Sequence, residues 1–491
     1  MSFIDVSIIV IYMVSMILIG IACRGKQVDE SDYFTGHGGF SHFLGTIIVG
    51  LSIAATFFSG ISMFAYPSLA FEKGITILTG VFLLPVAAIV AGGWFLPRYL
   101  KTGTKEPYEI IERKFGLPTR IVAAWLFLML RIAWMGTLIY APTSALVGGF
   151  GLDPYWFWII VLGIGISSTV YTVLGGIRGV IITDAIQFLV MIGGILLPVA
   201  VVWQRLELGW PEAFRYLQET GRLNLMSFSL DVTEPLTFWS MLCGFTVGNL
   251  GMYIADQMAL QRYLASNNVR EARKAFVINI AGVLIVISLL VVMGLSLALF
   301  YGLVKPDQLP AKADAVFPHF LATELPTGTA GLIFAAILAA TMSSMTSGIN
   351  SLAGTIVMDL NSRTSWLSTP RQRLRFAKMI SLGIGLFSTC VAGLVSYLGS
   401  IFEIAQSLTG VFLGPLLVCM LLAVSPRRFS PLAVRWGMGL GIVAGWGVIF
   451  SPADKLWVGP VATLVSAGLP LAELAWRSLV LRNHAEKSVV E

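Results

Sequence analysis

Four hydroxyls fall within five positions at Ser343, Ser344, Thr346 and Ser347. They lie inside an apolar stretch, Gly331 to Leu360, long enough to span a bilayer. At 3.6 residues per turn Ser343, Ser347 and Asn350 share one face, with Ser344, Thr346 and Ser351 flanking it. Hydroxyl oxygens gathered in hydrocarbon suit a small hard cation that prefers oxygen ligands. The competing reading is that each hydroxyl bonds back to the carbonyl one turn earlier and simply packs against neighbouring helices.

Charged groups inside apolar spans ask for a similar account, because each costs roughly 2.5–3.5 kcal/mol at the bilayer centre on insertion scales. Asp184 follows Gly175-Gly176-Ile177-Arg178-Gly179-Val180 and lies about two turns into its helix. It reads as a cation ligand, as half of a buried ion pair, or as an N-cap-like hydrogen-bond acceptor near the helix start. Arg131 is mid-span, facing a carboxylate, a helix C-terminus or a ligand. Asp256 and Gln257 stand at the end of a span just before Gln261-Arg262-Tyr263, where solvation at the interface is an equal reading.

The elements that would position these groups are transmembrane helices. Of 491 residues 56% are hydrophobic and 12% charged, with a mean hydropathy of +0.84, half the charge of a soluble protein. About 13 apolar spans lie near 3–23, 42–71, 75–98, 121–149, 154–175, 179–203, 235–260, 275–302, 329–360, 376–398, 404–424, 431–450 and 456–476. Two amphipathic stretches, near 206–230 and 303–326, are placed on the outer surface. Most of the 32 lysines and arginines, Arg262, Arg270, Arg273 and Lys274 among them, fall in loops on one side. The positive-inside rule then puts the N-terminus outside and the C-terminus in the cytoplasm.

Met1-Ser2-Phe3-Ile4-Asp5 lacks a basic n-region, so the first span is read as a retained membrane helix. The net charge of +6 follows the loops and not a nucleic-acid surface. Gly20 to Lys26 imitates a phosphate loop, but Gln27 stands where Ser or Thr is needed, so no nucleotide is expected. Cys23, Cys243, Cys390 and Cys419 form no disulfide pattern, and His37, His42, His319 and His484 no metal cluster.

Two spans have weak points. Ser52 to Ser62 interrupts the second span with small polar residues and Gly60, and Gly248-Asn249-Leu250-Gly251 does the same in the seventh. Broken transporter helices use freed carbonyls as cation ligands, and two breaks five spans apart fit an inverted five-plus-five repeat. Helix packing through small residues is the plainer alternative.

These motifs together resemble the sodium/solute symporter family, which includes carriers of galactose, sialic acid, proline, iodide and monocarboxylates. The likeness runs from about Asp32-Tyr33-Phe34 to Pro426. It rests on Gly175 to Asp184, Asp256-Gln257 to Gln261-Arg262-Tyr263, Gly331 to Ser351, and Thr409-Gly410 with Gly414-Pro415. Leu138-Ile139-Tyr140-Ala141-Pro142 is nearest to the iodide and monocarboxylate branch.

The resemblance implies an all-α integral membrane protein of the LeuT type, one transporter domain over 1–491. Its repeats would be 42–203 and 235–424, with 3–23 and 431–476 peripheral. It implies a first Na⁺ held by carbonyls of Ala55, Phe58 and Ala340 and hydroxyls of Ser343 and Ser344. A second Na⁺, present in some members, would use Asp184, Ser343, Thr346 and Ser347. Family substrate positions match Ser59, Ser62, Gln257 and Gln406, with Arg131 and Trp134 in the fourth span. Trp134 stands where sialic-acid carriers place an arginine, and Val81 where they use a glutamine, which argues against that cargo.

The function expected is sodium-coupled import of a small organic solute by alternating access, an organic anion or carboxylate first and a sugar second. A proton-coupled carrier and a passive channel are the alternatives of other classes. The chain is expected not to be an enzyme and to have no cofactor beyond co-transported Na⁺. Its partners would be a small-molecule solute and the lipid bilayer, with the chain working as a monomer in a cell membrane such as a bacterial inner membrane.

Overall fold

A computed structural model of the chain describes residues 2–24, 27, 29–35, 42–104, 106–206, 209–224, 226–266, 268–310, 312–361, 369–394 and 401–490. Gly25, Lys26, His37 and the side chains of His42, Gln406 and His484 lie outside the described residues. The main helices are α1 (Phe3–Ala22), α2 (His42–Phe57), α3 (Gly60–Lys73), α4 (Leu117–Gly149), α5 (Tyr155–Arg205), α6 (Phe238–Ile254) and α7 (Gln257–Leu264). They continue as α8 (Val269–Leu299), α9 (Thr329–Asn361), α10 (Pro370–Leu394), α11 (Ile401–Val424), α12 (Pro431–Ile449) and α13 (Val458–Val490). Short helices at Trp210–Glu219 and Ala313–Thr323 fall in the two amphipathic stretches.

By length and composition 9 described helices could cross a membrane, or 10 if the bent pair α6–α7 is one span. The sequence reading separates about 13. One reason is that α5 runs through both spans expected at 154–175 and 179–203, turning at Gly176. Another is that the helical run Gly60–Lys101 takes in the C-terminal part of the second span and all of the third. Short apolar helices at Phe43–Phe57 and Thr409–Val424 make up part of the difference.

The chain divides into two compact units. The first comprises Met1–Phe82, Arg131–Ser227 and Gln261–Phe402. Within it α9 is the enclosed element: 94% of its apolar window is buried, against 22% for α1. Helices α1, α2, α3, α5 and α10 pack on α9, and α8 packs on α2 and α3. The second unit comprises Leu83–Leu130, Phe228–Leu260 and Glu403–Glu491. There α12 lies along α13, with Gly437 and Gly441 against Ser466 and Gly445 against Ala462, so these glycines serve close packing.

The Gly175–Val180 motif is a corner. Gly176 has φ 58° and ψ −160°, a conformation that only glycine adopts without strain. The Tyr33 ring would stand 2.8 Å from a β-carbon added there. Tyr33 and Phe34 in turn close a buried cluster with Ala353, Val357 and Ala377. Arg178 Nη2 donates to Asp32 Oδ1 at 3.0 Å, tying the same corner to the segment before α2.

Outside the spanning segments Glu324, 3% exposed, accepts hydrogen bonds from Lys305 Nζ at 2.7 Å and from the Arg205 guanidinium. Burial alone would raise its pKa, but the two cations outweigh that and hold the carboxyl below its ordinary range.

Gly176→Ala should lower thermal stability by about 1–3 kcal/mol, while Gly193→Ala, where an added β-carbon meets nothing within 4 Å, should leave it unchanged. Thermal unfolding of both variants in one detergent checks this. The Glu324 contribution is full above the ordinary carboxylate pKa and is lost as pH falls through the depressed one. The melting temperature of Glu324→Gln should therefore sit below that of the wild type at pH 7, and the gap should close well below pH 4.5, the reference value for this carboxyl.

Candidate functional site

The second span breaks where its polar residues interrupt it. Helix α2 ends at Phe57, Phe58 and Ser59 are non-helical, and α3 starts at Gly60. Ser59 is extended (φ −126°, ψ 172°), its N–H donates to Ser62 Oγ at 3.3 Å, and its carbonyl accepts from Ser62 N at 2.9 Å. Gly60 is required by closeness: a β-carbon there would stand 2.3 Å from Thr341 Oγ1 and 2.8 Å from Pro142 Cβ.

At the break α9 supplies hydroxyls to the carbonyls of Ala55, which also accepts from Phe58 N at 3.2 Å, and of Phe58 in the non-helical gap. Ser344 Oγ donates to the Phe58 carbonyl at 2.7 Å. Ser343 Oγ lies 3.4 Å from the Ala55 carbonyl and 3.0 Å from the carbonyl of Ala340. All five residues expected for the first ion are thus brought together, and each is at most 3% exposed. Three carbonyls and two hydroxyls make a neutral, all-oxygen set. A hydroxyl that donates to a carbonyl can rotate and offer its lone pairs to a cation between the two oxygens.

The second expected set is arranged otherwise. Asp184 Oδ2 accepts from Arg262 Nη2 at 2.6 Å and from Ser52 Oγ at 2.8 Å, and Ser347 Oγ lies 3.4 Å away. Arg262 Nε donates to Ser52 Oγ at 2.8 Å, and its Nη2 to Ser347 Oγ. Of the four residues expected, the described hydrogen bonds join Asp184 to Ser347, while Ser343 turns to the α2–α3 break. Thr346 Oγ1 bonds to the carbonyl of Ser343 at 3.2 Å. Of the readings open for Asp184, the buried ion pair is present in this arrangement.

Arg262 was the miss. By position it reads as a cytoplasmic loop charge; the structure buries it completely. The usable signal was Asp184 itself, since an intramembrane carboxylate calls for a partner and Arg262 sits in a motif already singled out.

The seventh span corrects a second expectation. Helix α6 runs unbroken through Gly248–Gly251, and the chain bends by 47° at Ala255–Asp256 instead. An added β-carbon at Gly248 would meet nothing, and at Gly251 would press on Leu413, so Gly251 serves packing and neither glycine breaks the helix. At the real break Tyr108 Oη donates to the Ala255 carbonyl at 2.8 Å, and Asp256 Oδ1 accepts from Met258 N at 2.9 Å. Asp256 is therefore a buried helix cap and not a solvated interface residue.

Of the expected substrate residues, Ser59, Ser62, Arg131 and Trp134 belong to the first unit and Gln257 and Gln406 to the second. Ser59, Arg131 and Gln257 are buried, and Ser62 and Trp134 partly so. Ser59 and Ser62 meet directly, as part of the helix break.

Against this geometry the comparisons are specific. The model of the sodium:solute symporter family matches residues 33–441. The chain belongs to that family. The sodium/sialic acid symporter SiaT of Proteus mirabilis is 27% identical over 454 residues, covering 90% of this chain and 89% of the relative. The human sodium/iodide cotransporter is 30% identical over 458 residues, covering 91% and 67%. A solved Na⁺-coupled sialic acid symporter, in a substrate-bound outward-open state, superposes with a TM-score of 0.86 at 26% identity over 96% of both chains.

The protein is thus a multi-pass membrane symporter of LeuT type that couples a small-molecule solute to Na⁺. It is a transporter and not an enzyme, and no cofactor is indicated beyond the Na⁺ it carries.

Asp184→Ala in this symporter should lower stability by about 3–5 kcal/mol, because it strands a guanidinium in the core. The double variant Asp184→Asn with Arg262→Met should recover a substantial part of that loss. Thermal unfolding in the absence of Na⁺ measures both, and equal losses in the single and double variants would contradict the pairing.

Proposed function

We propose that this symporter imports a small organic anion, a carboxylate before a sugar, driven by Na⁺ bound at the α2–α3 break. The observation that carries the reading is the meeting of Ser343 and Ser344 with the carbonyls of Ala55, Phe58 and Ala340. A Na⁺ there would join α2 and α3 to α9, and its inward release would loosen that junction. The second set, Asp184, Ser343, Thr346 and Ser347, is proposed for a further Na⁺.

For the cargo, Ser59, Ser62, Trp134, Gln257 and Gln406 are proposed contacts, and Arg131 supports an anion by charge. Relatives named for iodide, sialic acid and monocarboxylates all carry anions. We further read 42–203 and 235–424 as inverted repeats, 3–23 and 431–476 as peripheral, and the chain as a monomer. The membrane would be a cell membrane, with the N-terminus outside and the C-terminus in the cytoplasm, on the loop-charge asymmetry.

One Na⁺ crossing 100 mV releases about 2.3 kcal/mol, and a tenfold concentration ratio adds about 1.4. Together these sustain roughly 500-fold accumulation of a neutral solute. An anion would gain less, since its own charge crosses the same voltage.

In proteoliposomes an inward Na⁺ gradient should drive carboxylate uptake above equilibrium, and choline in place of Na⁺ at fixed pH should abolish it. Ser344→Ala should raise the Na⁺ concentration for half-maximal uptake about tenfold or more, which one lost hydroxyl ligand worth about 1.4 kcal/mol would give. Uptake that ignores Na⁺, or a Ser344→Ala variant with the wild-type requirement, would overturn the reading. A thermal-shift screen of carboxylates and sugars in Na⁺ decides between the two cargoes.

A further inference from the structure

Arg262 holds two of the four side chains proposed for the second Na⁺. Its Nη2 is held by Asp184 Oδ2 and by Ser347 Oγ. Its Nε is held by Ser52 Oγ, which bonds to the same carboxylate oxygen. Both charged side chains are withdrawn from solvent, at 1% exposure for Arg262 and 0% for Asp184. The other carboxylate oxygen, Asp184 Oδ1, is buried and has no hydrogen-bond partner among the described residues. The carboxylate thus keeps acceptor capacity that the guanidinium does not use.

Charge decides what this cradle can hold. An isolated carboxylate buried here is costly, and a guanidinium or a Na⁺ each removes that cost. Both together would set two positive charges against one buried carboxylate. The guanidinium cannot lose its charge by deprotonation, so it has to leave for a Na⁺ to enter.

We propose that Arg262 is a tethered competitor for Asp184: its guanidinium neutralises the carboxylate while no ion is bound there, and a second Na⁺ binds by displacing it. This rests on the Na⁺-coupled reading above and adds that Arg262 sets how much Na⁺ the second position needs. A purely positioning arginine, one that orients Asp184 for the ion, would act in the opposite direction.

The test is equilibrium ²²Na⁺ binding to the purified full-length chain, with thermal unfolding as the check on folding. Arg262→Gln should lower the Na⁺ concentration that half-fills the Asp184-dependent component by about tenfold or more, or reveal such a component where the wild type shows none. In an Asp184→Asn background the same substitution should change nothing, because the competition runs through that carboxylate. Should Arg262→Gln fail to fold, Arg262→Lys decides. It keeps the charge but loses the planar fork that bonds Asp184, Ser52 and Ser347 together, and should tighten binding about threefold.

Unchanged or weakened Na⁺ binding in the folded arginine variant overturns the proposal. So does tightening that persists with Asp184→Asn. Ser344→Ala keeps the two readings apart. If it leaves Na⁺ binding untouched, the first ion site fails. If it weakens binding while the arginine variant does not tighten it, only the competition fails.

Discussion

A helix broken inside a membrane-spanning segment exposes carbonyls that water does not reach, and in this symporter two serines of α9 answer them. The stretch from Phe58 to Ser59 costs backbone hydrogen bonds that lipid cannot replace. Ser343 and Ser344 are consecutive, so their side chains diverge by about 100° around the helix. One meets Ala55, in the last turn of α2, and the other Phe58, in the gap itself. A larger side chain would not fit where Gly60 already crowds Thr341 and Pro142. The break, the glycine and the serines are therefore one solution to one constraint. Because a hydroxyl accepts as readily as it donates, the two serines can rotate and offer lone pairs beside the three fixed carbonyls.

One turn further along α9 the polar chemistry changes from neutral to charged. Ser347 faces Asp184 and Arg262, and Thr56 Oγ1 of α2 lies 3.4 Å from its hydroxyl. The two clusters therefore share two helices, α2 and α9, and are coupled through them. The neutral cluster is held by single hydrogen bonds, each worth about 0.5–1.5 kcal/mol net. The ion pair is stable only while both partners remain, since removing either leaves a buried charge. A transporter needs contacts that re-form every cycle, and weak neutral bonds are better suited to be exchanged than a desolvated pair.

Much of this was legible in the sequence, because it shows as composition. Hydroxyls at helical spacing in hydrocarbon, a carboxylate beyond a double glycine and a polar gap near Gly60 are departures from what lipid selects. The resemblance then supplied Ala55, Phe58 and Ala340, whose backbone carbonyls meet the two serines and carry no side-chain signal. What was not legible is direction. Arg262 and the loop arginines after it have the same residue type and nearly the same position, yet Arg262 is buried against Asp184 while Arg270 and Arg273 are exposed. The 47° turn at Ala255–Asp256 was misplaced at Gly248–Gly251, because glycine permits a break without requiring one. What stabilises the turn at Ala255 is a tyrosine far away in sequence, Tyr108, whose hydroxyl takes the freed carbonyl.

The two clusters also differ in what a cation must displace. At the α2–α3 break a Na⁺ bound as proposed would compete with hydroxyl hydrogens, which swing aside without leaving the site. At Asp184 it would compete with a covalently attached cation that is always present at high local concentration. If both positions take Na⁺, this difference orders them: the neutral cage fills at lower Na⁺ and orders α2, α3 and α9 first. The Asp184 position would then fill in a framework already assembled, because Ser347 belongs to the helix that the first ion has fixed. Cooperativity between two identical ions would then need no long-range pathway, only one helix presenting consecutive turns to two different kinds of oxygen.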